Sequence, residues 1–105
     1  MNVILKIDTS NNKEVQIGLV INSKEDVRKQ QPDHRKAQVV LPMIEQLLQD
    51  HQLILQDITE IEVNAGPGSF TGLRVGVAIA NTLGMLLQVP VNGKKVGEMV
   101  EPTYS

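Results

Sequence analysis

Residues 66–84, GPGSFTGLRVGVAIANTLG, decide how the rest of the chain is read. Gly66-Pro67-Gly68 makes a sharp turn, Ser69 is placed to cap, and an apolar helix follows to about Leu87. Within it Gly72, Gly76 and Gly84, together with Ala80, set a tiny side chain at every fourth position. Each interior glycine costs about 0.8–1.0 kcal/mol against alanine, so the helix forgoes about 3 kcal/mol. That is a sizeable share of a net stability of about 5–15 kcal/mol. Two explanations are open: a phosphate cradle at the helix start, or a backbone passing close along its side.

The cradle fits poorly. A Walker loop needs its second glycine where this chain has Thr71, counting from Gly66, or Leu73, counting from Gly68. The dinucleotide fingerprint fails because Thr71 stands at its last glycine. A helix start flanked by Ser69 and Thr71 attracts anions only in a generic way. The side of the helix says more. At 100° per residue, Thr71, Arg74, Asn81 and Thr82 share one narrow sector, and almost everything else is apolar or tiny. A helix of this kind is covered on two sides. Its close neighbour is the first helix, the sheet beneath, or a helix of another molecule.

The remainder of the chain supplies the frame. Its 105 residues suffice for one domain with a core, and Phe70 and Tyr104 are its only aromatics, so that core is Ile, Leu and Val. A net charge of −2 argues against nucleic-acid binding by overall charge, leaving His34-Arg35-Lys36 as a local basic patch. The absence of cysteine excludes disulfides and thiolate chemistry and suits a cytoplasmic location. MNVILKIDTS lacks a basic leader, and Val75–Leu87 is too short to span a bilayer, so a protein in solution is expected.

Val3–Ile7 reads as a strand covered on both faces, Glu14–Ile21 as a half-buried strand, and Val27–Gln30 as a charged edge strand after a turn at NSKED. A helix from about His34 to Gln52 follows, with Ala37, Val40, Leu41, Ile44, Leu47, Leu48 and His51 inward and Val39, Pro42 and Met43 outward beside Gln38 and Gln46. Ile58–Val63 is a fourth strand and Val89–Val91 a short fifth. The order β-β-β-α-β-α-β gives an α/β fold with a five-stranded mixed sheet and two main helices, residues 1–92 forming the domain and 93–105 an extended tail. The closing VNGKKVGEMVEPTYS reads as a finished end rather than a cut through a helix.

ILKIDTS, HRKAQVVLPMIEQLL and above all GPGSFTGLRVGVAIANTLG resemble the TsaB (YeaZ) family. The resemblance covers residues 1–92 and only the first half of a usual member. It implies one RNase H-like lobe of the actin-like ATPase superfamily. It further implies a non-catalytic subunit that docks on TsaD and supports N6-threonylcarbamoyladenosine formation in tRNA. TsaE is then an indirect ATP-hydrolysing partner, and tRNA is reached only through the complex. Neither cofactor nor metal is expected. The interface expected from the outward helix faces comprises Val39, Met43 and Gln46 on the first helix and Gly72, Arg74, Gly76 and Ala80 on the second. Arg74, a cation in the first turns of a helix, is expected to answer a carboxylate in the chain or on a partner.

Asp8-Thr9-Ser10 lies where the superfamily turns toward phosphate, although the residues themselves read more simply as a side-chain-stabilised turn. Three rival functions share the fold. A catalytic, glycoprotease-like member would carry His-x-x-x-His in the first helix, and here the pair is His34 and Gln38. A one-lobe nucleotide binder lacks a phosphate signature, and a homodimeric scaffold would use the same helices.

Overall fold

The computed structural model describes residues 1–11, 13–32 and 36–103. The expected patch at His34-Arg35 and the expected start of the first helix lie outside them, as does the side chain of Lys36. Strand β1 (Val3–Asp8) runs antiparallel to β2 (Val15–Ile21), with Val3 opposite Ile21 and Ile7 opposite Ile17. It runs parallel to β4 (Glu60–Val63), with Ile4 opposite Glu60 and Ile7 opposite Val63. Strand β3 (Lys24–Gln30) pairs with β2 and forms one edge of the order β3-β2-β1-β4. The strand begins earlier than the sequence suggests, because Asn22 and Ser23 alone make the turn. Both residues adopt positive φ, 49° and 74°, as the tightest hairpins require.

Alternation along the strands sorts the sheet into two faces. Val3, Leu5, Ile7, Val15, Ile17, Leu19, Ile61 and Val63 are buried beneath both helices. Lys6, Asp8, Gln16, Glu25, Glu62 and Asn64 line an open depression of about 250 Å3 on the opposite face, where Lys6 pairs with Glu25 at 3.0 Å.

Helix α1 (Lys36–Asp50) lies against β2 and inserts Val40, Ile44, Leu47 and Leu48 into the core. Ala37, Leu41 and His51, expected inward, are exposed. The supporting stripe is narrower than the sequence suggests: Leu41 points about 100° away from Val40, and His51 follows the last helical residue. Val39 and Met43, expected outward, are half-buried and packed against the core, whereas Pro42 is exposed.

Helix α2 (Phe70–Leu87) lies over β4 and β1. Ser69 caps it, its hydroxyl accepting from the Gly72 amide at 3.4 Å. By length and composition α2 could cross a membrane, the one described helix of which this holds, and its eighteen residues exceed the span expected from sequence. In this fold its apolar side rests on the sheet.

The expected fifth strand is reduced to one bridge, so the sheet has four strands. Left-handed residues, Gln88 at φ 56° and Asn92 at φ 53°, bracket the extended stretch and leave only three residues between them. The Ile61 amide donates to Pro90 O at 3.0 Å and the Asn92 amide to Ile61 O at 2.8 Å. The Asn92 side chain then pairs with both backbone groups of Val63, at 2.8 and 3.1 Å. Residues 93–103 form no helix or strand and return along α2. There Asn81, expected in a polar outer sector, is buried and grips Val100 through two bonds of 2.9 Å. The Thr103 amide donates to Ala65 O at 2.6 Å.

Candidate functional site

The end of β1 explains the glycines. Thr9 is fully buried, and its hydroxyl donates to the Gly72 carbonyl at 2.5 Å while accepting from the Gly76 amide at 2.9 Å. Those two groups belong to one rung of the i to i−4 ladder of α2. A Cβ on Gly76 would lie 2.5 Å from Thr9 Oγ1, and one on Gly84 would lie 2.5 Å from Val91 Cγ2. The close neighbour of the small-residue stripe is therefore the sheet of the same chain, and Gly72, Gly76 and Ala80 are interior positions.

The turn after β1 joins the loop before α2. Asp8 Oδ1 accepts from the Ser10 amide at 2.9 Å and the Ser10 hydroxyl at 2.6 Å. Asn64 donates to Asp8 Oδ2 at 3.3 Å and to Ser10 Oγ at 3.1 Å, and its own oxygen accepts from the Gly66 amide at 3.0 Å. Donors that would greet an anion are already committed to a carboxylate. Side chains thus stabilise the turn, and the corner locks the 64–69 loop to β1. Among the described residues no group of three or more His, Cys, Asp or Glu could hold a metal ion.

The surface members of the expected interface fall in two places. Met43 and Gln46 line a shallow groove of about 250 Å3 with Pro42 of α1 and Arg28, Lys29 and Gln30 of β3, on the side of α1 away from α2. Val39 is half-buried beside the same core. Arg74 lies on the exposed side of α2, its guanidinium 5.3 Å from the centroid of the Phe70 ring. Among the described residues no carboxylate lies in ion-pair reach of Arg74, so an aromatic face takes the place of the expected intrachain acid.

Sequence reasoning missed Phe70, Met85 and Leu86, which are more than half exposed on α2. Their signal was available. Four-residue spacing of tiny groups marks the side packed closely on the rest of the chain, which leaves bulky groups away from it for solvent.

A charge network closes the other flank. Asp26 of β3 accepts from Arg28 at 3.0 Å and bonds the His51 ring at 2.9 Å, while Arg28 also donates to Asp50 at 2.5 Å. Arg28 and then His51 hold the Asp26 carboxyl below the usual carboxylate range. Arg28 and then Gln46 do the same for Asp50. These groups are 34–41% exposed, so the network is a solvated clasp between β3 and the end of α1.

Known proteins share this fold. The model of the family "TsaD: tRNA N6-adenosine threonylcarbamoyltransferase" matches residues 28–94, more than half of the chain. The tRNA threonylcarbamoyladenosine biosynthesis protein TsaB of Bacillus subtilis (strain 168) is 35% identical over 115 residues, covering 96% of this chain and 49% of the relative. The chain belongs to the TsaB (YeaZ) family. YeaZ from Pseudomonas aeruginosa superposes with a TM-score of 0.81 at 28% identity, over 90% of this chain and 44% of that one. A second solved structure, of an uncharacterized protein with similarity to peptidase YeaZ from Pseudomonas aeruginosa, gives 0.80 at 30% identity over 87% of this chain and 42% of that one. This chain spans about half the length of these TsaB and YeaZ relatives.

Proposed function

We propose that this chain is a non-catalytic TsaB-type subunit that docks on a TsaD enzyme and supports N6-threonylcarbamoyladenosine formation in tRNA. Membership of the family carries the reading. The exposed side of α2 supplies a surface for it: Phe70 with Arg74, then Ala78 and Thr82, then Met85 and Leu86, a row open to solvent with apolar groups at both ends. Exposed rows of this kind mark sites of protein association. Docking engages this row first, with Arg74 at its polar end and with Val39, Met43 and Gln46 on the flank of α1. In this reading residues 1–92 are one RNase H-like lobe in the cytoplasm, residues 93–103 are a tail that returns along α2, and TsaE and tRNA meet the chain only through TsaD.

Size-exclusion chromatography with light scattering, on the chain mixed with TsaD from the same cell, tests this. A one-to-one complex is expected, and Leu86→Glu should disperse it without changing the far-ultraviolet circular dichroism of the chain alone. A wild-type chain that stays separate from TsaD overturns the reading. A particle of twice the chain mass without TsaD would favour the homodimeric scaffold instead.

A further inference from the structure

The buried hydroxyl at the end of β1 points to a link between two parts of the molecule that the sequence treats separately. We propose that Thr9 is a positioning residue for the docking face of α2, holding the helix in the setting that its partner recognises. This rests on the docking reading above. Thr9 follows Asp8 directly, and Asp8 is bound by Ser10 and Asn64 in the corner that fixes the 64–69 loop. One residue later the chain places a hydroxyl against two peptide groups of α2, accepting from Gly76 and donating to Gly72.

A side chain that contacts the ladder of a helix biases its local bend and setting. The first exposed turns of α2 carry Phe70 and Arg74 on the solvent side of the same turns whose inner side Thr9 holds. Apolar packing alone, by Ile7 against the same inner side, fixes depth but sets no angle. A hydroxyl with one donor and one acceptor engaged fixes both. Gly76 is required because a Cβ there would meet that hydroxyl. Partner binding and the 8–10 turn therefore share one free-energy ledger: what shifts the turn alters affinity, and docking steadies the turn by the same factor.

Hydrogen exchange of the α2 amides, measured beside TsaD affinity, tests the inference on the full chain. Thr9→Val removes the hydroxyl at nearly constant volume. It should speed exchange of residues 72–78 and weaken TsaD binding about tenfold, a usual size for coupled sites. Thr9→Ser should restore both. Ile7→Val, which thins the core beside Gly76 without touching the hydroxyl, should leave affinity within about twofold while lowering the unfolding midpoint. Gly76→Ala supplies an independent arm, displacing the hydroxyl with Thr9 still present, and should repeat the Thr9→Val pattern. Wild-type exchange and affinity in Thr9→Val or Gly76→Ala overturn the inference. So does an affinity loss in Ile7→Val equal to that of Thr9→Val. A wild-type chain that ignores TsaD overturns the docking reading, and the exchange pattern alone then decides whether Thr9 sets α2.

Discussion

The two helices share one face of the sheet but are held by different means. Helix α1 rests on long side chains, Val40, Ile44, Leu47 and Leu48, with a solvated clasp of Arg28, Asp26, Asp50 and His51 at its end. Helix α2 approaches through missing side chains: Gly76 faces Thr9, and Gly84 faces Val91. Long side chains can repack around a change, whereas a helix backbone pressed against the buried side chains of Thr9 and Val91 has none of its own to move. Helix α2 also buries Leu73, Val77 and Leu83, but at its glycines it is thus the less tolerant of added bulk.

The sharpest way to break this contrast is Gly76→Leu. Its first added carbon already meets Thr9, and overpacking beyond it should remove more than about 3 kcal/mol. Thermal melting followed by circular dichroism should show little cooperative transition, and a well-folded variant would place the stripe outside after all. Leu47→Ala on α1 should cost about 2–4 kcal/mol in a urea titration, as a cavity rather than a clash, with the fold retained. Should it prove the costlier of the two, the contrast reverses.

Asn81→Ala tests the far side of α2. It strips both partners from the Val100 backbone and should cost about 1–3 kcal/mol, seen as faster proteolysis within residues 96–103.

The smallest effect belongs to the clasp. Asp26 and Asp50 have pKa values lowered by folding, so the unfolded chain binds more protons as pH falls past the ordinary carboxylate range. Their contribution is therefore complete above about pH 5 and fades below about pH 4. Arg28→Gln should flatten the acid side of the stability curve, measured by urea midpoints at low salt. A curve unchanged by Arg28→Gln would leave α1 held by its apolar stripe alone.

Much of this was legible. The alternation of Val15, Ile17 and Leu19 placed β2, and Ser69 before an apolar run placed the start of α2. Local signals of this kind act within a few residues. The errors came where a residue's role depends on what lies across the fold. Asn81 looks like a surface residue until Val100 returns to meet it. Val89–Val91 reads as a strand until the left-handed Gln88 and Asn92 curtail it. Glycine spacing announced a close approach but did not name the neighbour. That depended on Thr9, sixty-seven positions from Gly76.

The Asn92 side chain has one more effect. An asparagine amide offers an acceptor oxygen beside its donor N–H groups, so it can pair with the N–H and C=O of one strand residue as a neighbouring strand would. By pairing with Val63, just past Ile61's bonds to Pro90 and Asn92, it occupies the outward polar groups at that border of the sheet. No foreign strand can zip onto β4 there without first evicting it, a guard against fibrous assembly that a single side chain provides.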